Sequence, residues 1–347
     1  MAEAARSDRY HDLAVQRVVR ETADAISIGF DVPADLADRY TYRPGQFVTI
    51  RAVVDGVPHL RSYSMSSAPE TDLDLQVTVK RVPDGPVSCW LHDSVAVGDV
   101  LPVSVPAGAF LLPDSEADLV MFAAGSGITP ILSMVKSVLH GSSRRVSLLF
   151  ANRDRDSAIF GSTLDMLAAQ FPERLDLHHH SDAASGFVSQ AMVSSFADAA
   201  GDREFYVCGP TGFMEVVQAG LARSGVATDC IHIERFTPAA LPQLPPFAVA
   251  LVDSDEERTL TITVGSETKT VSQRDKLTIL ESARWNGMSA PSSCEAGHCA
   301  TCMAQVVEGE VSMAVNDILT DEEVEAGWVL TCQTVPVSPV VRVVYET

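Results

Sequence analysis

The segment CEAGHCATC, from Cys294 to Cys302, contains three of the seven cysteines of this 347-residue chain. A fourth cysteine, Cys332, follows in LTCQT. Disulfide bonds, a zinc site or a centre that carries electrons would each bring cysteines this close together. The chain begins MAEAARSDRYHDLAV, which lacks the apolar run of an export signal, so we expect a cytoplasmic protein with reduced thiols.

The spacing of these cysteines is C-x4-C-x2-C, whereas a zinc ribbon more often has two C-x2-C pairs. The observed spacing with one distant cysteine is the plant-type arrangement of a [2Fe–2S] cluster. Small residues in the loop allow backbone N–H groups to point at the cluster sulfurs. Cys89 and Cys230 have no partner at a suitable spacing and are interpreted as buried thiols. The predicted cluster ligands are Cys294, Cys299, Cys302 and Cys332.

A proline-rich segment, FTPAALPQLPPF, lies upstream of the cluster motif. It has four prolines and no charged residue, which is typical of a stiff, extended linker. We therefore predict a linker at residues 238–246 and a separate domain at residues 247–347.

The charge of the chain is uneven. Residues 247–347 contain 16 acidic and 6 basic residues, a net charge of −10 out of −21 for the whole chain. Such a charge argues against nucleic acid or an anionic membrane as a partner. Two interpretations remain for the acidic domain: a solvated surface, or a face that steers a basic protein partner.

Two further domains are predicted before the linker. Residues 1–113 have short alternating segments such as QFVTIRAVV between Pro and Gly turns, which predicts an antiparallel β-barrel. Residues 114–237 alternate apolar strands, glycine turns and helices, which predicts an α/β domain with a parallel sheet. The longest apolar stretch, DLVMFAAGSGITPILSMVKSVL, is interrupted by polar residues, so no membrane span is expected.

The segment RSYSMSSAP, from Arg61 to Pro69, resembles the flavin motif R-x-Y-S of the ferredoxin–NADP reductase superfamily. YRPGQFVTI precedes it and DGPVSCWLHD follows it, as in that superfamily. The resemblance implies an FAD site, with FAD preferred over FMN. Tyr63 would lie on the isoalloxazine, Ser64 near its N5 atom and Arg61 at the pyrophosphate. Further flavin contacts are expected at Val77, Val79, Lys80, Gly85, Val87 and Ser88.

Two motifs resemble the nicotinamide-binding segments of the same superfamily. AAGSGITP has a G-x-G turn after an apolar strand, and CGPTGFM follows later in the chain. In the HIERF segment, Phe236 is expected to cover the flavin and Glu234 to assist at N5. The resemblance implies nicotinamide contacts at Gly125, Gly127, Thr129, Cys208, Gly209 and Pro210. It implies catalytic roles for Ser64, Thr129, Cys208 and Glu234.

The choice between NADH and NADPH depends on the segment FANRDRDSAIF. Arg153 and Arg155 either bind a 2′-phosphate or are ordinary surface residues. Exposed arginines are common in loops, so we favour NADH while retaining Arg153 as a candidate cofactor contact.

Over nearly its whole length the chain resembles the reductase components of multicomponent oxygenases, a group that includes those of 3-ketosteroid 9α-hydroxylase and phenylacetyl-CoA epoxidase. Its last hundred residues resemble a plant-type ferredoxin domain, which implies an α+β β-grasp fold. TDEEVEAGWVLTCQ fits the approach to the fourth ligand, with Thr320 and Glu323 as a candidate capping box. The implied function is electron transfer from NAD(P)H through FAD and the [2Fe–2S] cluster to a terminal oxygenase. The alternatives are the reductase of a fatty-acid desaturase and a redox-sensing module that holds flavin and cluster.

Overall fold

The computed structural model describes residues 10–197, 202–236, 258–273, 277–288, 290–292, 297, 300–316 and 318–345. The chain divides into two units, Met1–Phe236 and Thr237–Thr347. Among the described residues, each helix is too short or too polar to cross a membrane.

The first sheet of the first unit is antiparallel and has six strands in the order β4-β3-β6-β1-β2-β5. An antiparallel bridge between Met65 and Val77 brings the edge strands β4 and β5 together, which closes the sheet into a barrel. Alternate side chains such as Ile28 and Ile50 fill the interior and are fully buried. Helix α1 (Pro86–Ser94) follows the fifth strand. The strands are β1 (Tyr10–Thr22), β2 (Ala25–Asp31), β3 (Phe47–Val54), β4 (Val57–Ser64), β5 (Leu75–Lys80) and β6 (Val100–Ser104).

The second sheet has five parallel strands in the order β11-β10-β7-β8-β9. Its central strands are almost continuously apolar because helices cover both faces. Met121 belongs to the core on one face and its neighbour Phe122 to the core on the other. The strands are β7 (Asp118–Ala124), β8 (Val146–Asn152), β9 (Leu175–Ser181), β10 (Arg203–Cys208) and β11 (Ile231–Glu234). The helices are α2 (Ile128–Gly141), α3 (Gly161–Gln170), α4 (Asp182–Ser185), α5 (Gln190–Phe196) and α6 (Thr211–Arg223).

The barrel and the parallel-sheet domain meet at a polar contact between helix α2 and the loop after β4, which we call the α2–loop contact. Ser133 Oγ donates a hydrogen bond to the carbonyl oxygen of Ser67 (2.5 Å), and Lys136 Nζ forms an ion pair with Asp72 (3.0 Å). Ser133 and Lys136 are three residues apart and lie on one face of the helix. The contact therefore holds the helix that follows the glycine turn against the barrel.

The second unit contains a five-stranded mixed sheet, β13-β12-β18-β14-β16, and a two-stranded sheet, β15-β17. Helix α7 packs on the larger sheet, where Ile279 and Ala283 join a core with Leu260 and Val341. The strands are β12 (Arg258–Val264), β13 (Glu267–Gln273), β14 (Met303–Glu308), β15 (Val311–Met313), β16 (Trp328–Leu330), β17 (Thr334–Pro336) and β18 (Val340–Tyr345). The helices are α7 (Ile279–Trp285) and α8 (Asp321–Glu325). Both helices begin with a capping box, including the one predicted at Thr320 and Glu323.

Candidate functional site

The glycine turn after β7 brings three predicted cofactor-binding segments together. Gly125 has a φ of +54°, a conformation that side-chain-bearing residues rarely adopt. A Cβ on Gly127 would lie only 2.2 Å from the carbonyl oxygen of Cys208, so the two nicotinamide motifs are in direct contact. A Cβ on Gly125 would lie 3.7 Å from Lys80 Nζ. Strand β5 of the barrel therefore reaches the same turn.

Strand β5 has buried side chains and one available backbone edge. Val77 and Val79 are fully buried in the barrel, whereas Lys80 is half-exposed and forms an ion pair with Asp24 (3.7 Å). Beyond the Met65 bridge, the described part of the chain places no second strand beside residues 78–80. The backbone there can bind a planar ring through its edge, as predicted for the flavin.

The R-x-Y-S segment places its residues at different depths. Arg61 is exposed, and its guanidinium donates a hydrogen bond to the carbonyl oxygen of Leu60 (2.8 Å). Tyr63 is half-buried, and burial raises the pKa of its phenol, so the ring is neutral at physiological pH. Ser64 is 4% exposed. Thr129, in the first turn of α2, is also buried and donates its hydroxyl to the carbonyl oxygen of Ser126 (3.1 Å).

The Ser88 side chain forms hydrogen bonds across the turn that precedes α1. Ser88 Oγ accepts a hydrogen bond from the Val82 N–H (3.1 Å) and donates one to the Gly85 carbonyl oxygen (3.2 Å). Gly85 caps the helix and Val87 is buried in the barrel core. With the Ser88 hydroxyl engaged, a phosphate at this position would bind the first N–H groups of the helix.

Cys208 ends β10 and is fully buried, opposite Glu234 on the neighbouring strand. Burial first, and the charge of Glu234 second, raise the pKa of the Cys208 thiol well above its ordinary value of 9.0. The thiol is therefore neutral at physiological pH. Gly209 and Pro210 connect Cys208 to α6, and Phe236, two residues after β11, is 40% exposed.

We expect thiol reagents to leave Cys208 unmodified in the folded protein. Its raised pKa keeps the thiolate fraction low, and burial blocks access. Cys89 and Cys230 are half-exposed, so their interpretation as buried thiols is wrong. Both should be alkylated before Cys208. Cys230 should react more slowly than Cys89, because desolvation and the neighbouring Asp229 carboxylate raise the pKa of the Cys230 thiol. Iodoacetamide labelling at pH 8 followed by peptide mass mapping measures the order. Labelling of Cys208 at the rate of Cys89 would contradict the burial argument.

The two arginines after β8 both have acidic partners. Arg153 is 75% exposed, and its Nε donates a hydrogen bond to Asp154 Oδ2 (2.9 Å). Arg155 forms an ion pair with Asp165. Each guanidinium therefore already has a carboxylate partner, and neither is a free positive charge for the 2′-phosphate of NADPH.

Two of the four predicted cluster ligands belong to the described residues, and Cys294 and Cys299 lie outside them. Cys302 and Cys332 are 2% and 6% exposed. Thr331, the residue before Cys332, donates its hydroxyl to the carbonyl oxygen of Cys302 (2.8 Å). The two cysteines are thus brought together by a buried hydrogen bond.

The described part of the cysteine loop fits a bound cluster. Ala300 has a φ of +53° and Gly297 a φ of +86°, so the backbone is wound tightly here. A Cβ on Gly297 would lie 2.9 Å from the carbonyl oxygen of Val315. Thr301 Oγ1 is buried and has no hydrogen-bond partner among the residues described. Thr301 precedes Cys302 in the chain, and a bound group that accepts a hydrogen bond from its hydroxyl is consistent with this arrangement.

Lys136 and Asp72 are two residues of the site region for which the sequence predicted no role. The available signal was a single charged residue in the otherwise uncharged helical stretch ILSMVKSVL. The structure explains that lysine, because its side chain is only 14% exposed and reaches Asp72.

Replacing Lys136 with methionine should lower the free energy of unfolding by about 1–2 kcal/mol, since both partners are partly exposed. It should also slow flavin reduction by NADH roughly threefold or more, because α2 carries the glycine turn. Stopped-flow spectroscopy and thermal unfolding measure the two effects. A double-mutant cycle with Asp72→Asn isolates the pair. Lys269→Met, in the second unit, is the control, and an unchanged reduction rate in Lys136→Met would refute the positioning role.

Comparisons with known proteins agree with this architecture. Residues 12–111 match an oxidoreductase FAD-binding domain family, residues 121–219 an oxidoreductase NAD-binding domain family, and residues 262–337 a 2Fe-2S iron-sulfur cluster binding domain family. The predicted fold class and the predicted FAD, NAD(P)H and [2Fe–2S] cofactors are confirmed, whereas the preference for NADH over NADPH stays a prediction. The domain boundaries at 113, 237 and 246 stay predictions.

Three relatives are similar over nearly their whole length. The 3-ketosteroid-9-alpha-monooxygenase ferredoxin reductase component of Mycolicibacterium smegmatis is 38% identical, covering 96% of this chain and 97% of that protein. The same component of Rhodococcus rhodochrous is 38% identical, covering 94% of each. A component of the 1,2-phenylacetyl-CoA epoxidase of Escherichia coli is 32% identical, covering 97% of this chain and 98% of that protein.

Solved structures share the fold. A phthalate dioxygenase reductase is 22% identical with a TM-score of 0.59, covering 98% of this chain and 99% of that one. The cytochrome P450 reductase of Amycolatopsis is 27% identical with a TM-score of 0.56, covering 67% and 71%. The chain therefore belongs to the family of reductase components of oxygenase systems, oxidoreductases that pass electrons from NAD(P)H through FAD and a [2Fe–2S] cluster to a terminal oxygenase.

Proposed function

We propose that this reductase receives hydride where strand β5, the Gly125–Gly127 turn and Cys208 meet, and that it serves a terminal monooxygenase. The observation that carries the proposal is the tight packing of that turn. Gly127 has no room for a Cβ beside the Cys208 carbonyl, and Gly125 lies next to Lys80 Nζ. A flavin on β5 and a nicotinamide on the glycine turn would therefore be neighbours.

FAD, when bound, would convert a hydride into single electrons, and a plant-type [2Fe–2S] cluster would carry single electrons at a potential of about −400 mV. The residues of this chain bind and orient both groups. Tyr63 offers a neutral ring face to the isoalloxazine, and Arg61 is exposed enough to reach the pyrophosphate. The first N–H groups of α1 would hold a phosphate.

The groups proposed at the hydride-transfer position are mostly neutral. Ser64 and Thr129 contribute buried hydroxyls, and Cys208 contributes a thiol whose raised pKa keeps its proton in place. Such groups exclude water and pack against flat rings without introducing a competing charge. Glu234, opposite Cys208, supplies the carboxylate that we assign to the flavin N5 region. Phe236, partly exposed after β11, is proposed to cover the flavin.

The four cysteines of the second unit are proposed as the cluster ligands. The support comes from the burial of Cys302 and Cys332 and from the hydroxyl of Thr301, beside Cys302, which has no partner among the described residues. We place the protein in the cytoplasm, where NAD(P)H is available and the half-exposed Cys89 and Cys230 stay reduced.

The acidic second domain is proposed to face a basic patch on the oxygenase. Exposed carboxylates of α8, such as Asp321 and Glu325, belong to a domain with a net charge of −10. Weak electron-transfer encounters use small interfaces that charge steers. Oxygenase reduction rates should fall as ionic strength rises, and rates that do not depend on salt would overturn this part of the proposal.

The first oxygenase to test is that of 3-ketosteroid 9α-monooxygenase. Relatives with this name are 38% identical to the chain, against 32% for the relatives named for phenylacetyl-CoA epoxidase and glycine betaine monooxygenase. Product formation with the ketosteroid oxygenase, and none with the glycine betaine oxygenase, would support the assignment.

An anaerobic titration with NADH, and separately with NADPH, tests the electron path itself. The visible spectrum should show flavin bleaching, and low-temperature EPR should show a reduced [2Fe–2S] signal. If neither nucleotide reduces both centres, the proposed order of electron transfer is wrong.

A further inference from the structure

Thr331, the residue before Cys332, is fully buried and uses every polar group that it has. Its N–H and its hydroxyl both donate to the carbonyl oxygen of Cys302, at 3.2 Å and 2.8 Å. Its own carbonyl oxygen accepts a hydrogen bond from the Leu280 N–H in α7 (3.1 Å). Thr331 therefore ties the segment of one proposed cluster ligand to the backbone of another and to α7.

The remaining hydrogen bond to Thr331 comes from Tyr345 on β18. This strand pairs with β12 and β14 inside the larger sheet of the second unit, and the Tyr345 ring belongs to the core of that unit. The phenol donates a hydrogen bond to Thr331 Oγ1 (2.8 Å), and the tyrosine is 2% exposed. The sheet therefore holds the phenol in a fixed position behind Thr331.

The direction of each hydrogen bond in this chain follows from the groups involved. A carbonyl oxygen can only accept, so the Thr331 hydroxyl donates to Cys302 and is left to accept from Tyr345. Both O–H dipoles therefore point their positive ends from β18 towards Cys302. Because hydrogen bonds in a chain polarise one another, loss of the phenol hydroxyl weakens the bond that Thr331 donates.

The Tyr345 phenol also lies close to both of the described cluster cysteines. Burial raises the pKa of the phenol, and the sulfurs of Cys302 and Cys332 are near enough to raise it further. The phenol is therefore a neutral hydrogen-bond donor at physiological pH. Its hydroxyl keeps its proton and orients the groups in front of it.

We propose that Tyr345 is a positioning residue that raises the reduction potential of the [2Fe–2S] cluster by acting through Thr331 on Cys302. Reduction adds one electron, and so one negative charge, to the cluster. Hydroxyl dipoles whose positive ends point towards a ligand residue favour that charge. The inference rests on the proposed cluster ligands and adds a residue that tunes the cluster from behind them.

The first test removes the phenol hydroxyl and keeps the ring, in Tyr345→Phe. The equilibrium constant for electron transfer from FAD to the cluster should fall roughly tenfold, as expected for one lost hydrogen bond, which is about 59 mV for a one-electron couple. An anaerobic redox titration of the full chain loaded with both cofactors, followed by EPR, measures the cluster potential. The visible spectrum measures the FAD potential, which should not change.

Variants of Thr331 test the path of the effect. Thr331→Val keeps the side-chain shape without the hydroxyl and should lower the cluster potential at least as much, whereas Thr331→Ser should keep the wild-type value. The double variant Tyr345→Phe/Thr331→Val should have the same potential as Thr331→Val alone, because Tyr345 then has no hydroxyl to act through.

Tyr40→Phe is the matched control for the loss of a buried phenol hydroxyl. Tyr40 is 4% exposed in the barrel core, and its hydroxyl donates to the carbonyl oxygen of Val103 (2.7 Å). Thermal unfolding should show a loss of stability comparable to that of Tyr345→Phe, but the cluster potential should stay at the wild-type value. The control therefore separates a general loss of stability from an effect on the cluster.

An unchanged cluster potential in Tyr345→Phe at full iron content would overturn the inference. A double variant whose shift is the sum of the two single shifts would overturn it as well, because Tyr345 would then act independently of Thr331. If Thr331→Val does not retain the cluster, Tyr345→Phe and Thr331→Ser carry the comparison. A wild-type protein without a [2Fe–2S] EPR signal would contradict the proposed function itself, whereas an intact wild-type signal with unchanged variants would overturn the inference alone.

Discussion

Substituting alanine for Gly127 should reduce the rate of flavin reduction by NADH roughly a hundredfold, because about 1 Å of displacement in a reacting geometry has that effect. The added Cβ would lie 2.2 Å from the Cys208 carbonyl oxygen, 2.4 Å from its carbonyl carbon and 2.7 Å from the Gly209 nitrogen. All three are backbone atoms, so no side-chain rotation relieves the clash. The turn must move away from Cys208, and the nicotinamide position moves with it.

Gly141→Ala is the matched control. Gly141 is the last residue of α2, the helix that begins directly after Gly127. Among the described residues, nothing lies within 4 Å of the position that a Cβ on Gly141 would take. It should reduce flavin at the wild-type rate and be as stable or slightly more stable. Stopped-flow measurement with NADH, together with dithionite reduction as a check that both cofactors are loaded, separates a hydride-transfer defect from cofactor loss. A Gly127→Ala protein with a wild-type rate would mean that the turn does not hold the nicotinamide.

Substituting serine for Cys332 should remove the [2Fe–2S] signal and lower electron delivery to a protein acceptor by roughly a hundredfold or more. A cluster of this type needs all four thiolates, and its ligands contribute to holding the loop in place. Cys332 is 6% exposed, and the residue before it, Thr331, is hydrogen-bonded to the Cys302 carbonyl oxygen. Because the position is buried, no exposed side chain can take the place of the lost thiolate. Flavin reduction by NADH, read out with ferricyanide, should continue, because ferricyanide takes electrons from the flavin directly.

Cys230→Ser is the control for this substitution, since that thiol is half-exposed in the first unit and has no assigned role. Iron content, the visible spectrum and low-temperature EPR measure the cluster, and oxygenase turnover measures delivery. Full iron content and an unchanged EPR signal in Cys332→Ser would rule out this residue as a ligand.

Much of the fold could be predicted because local patterns decide it. The period-two alternation in QFVTIRAVV indicated β3, and the apolar run before the glycine turn indicated β7. The capping box at Thr320 and Glu323 formed as predicted because it needs only residues three positions apart along the chain. The flavin and nicotinamide motifs were recognisable for the same reason, since each is a short contiguous segment.

The contacts between distant segments could not be predicted. Lys136 meets Asp72 across 64 positions, and Gly127 packs on Cys208, which belongs to another strand. Such pairs depend on tertiary packing that local periodicity does not encode. The interpretation of Cys89 and Cys230 failed for a related reason: a buried free cysteine is the usual case, and only the packed structure shows which cysteines depart from it.

The α2–loop contact has a consequence for how such reductases can be recombined. The residues on its two sides come from two different domains: Ser67 and Asp72 belong to the barrel, and Ser133 and Lys136 belong to α2. A chimera joined near residue 113 would pair mismatched halves of this interface and misplace the helix that carries the glycine turn. A chimera joined after Phe236 keeps the whole interface within one parent. The natural module for exchange is therefore the complete first unit, with the iron–sulfur domain as the interchangeable part.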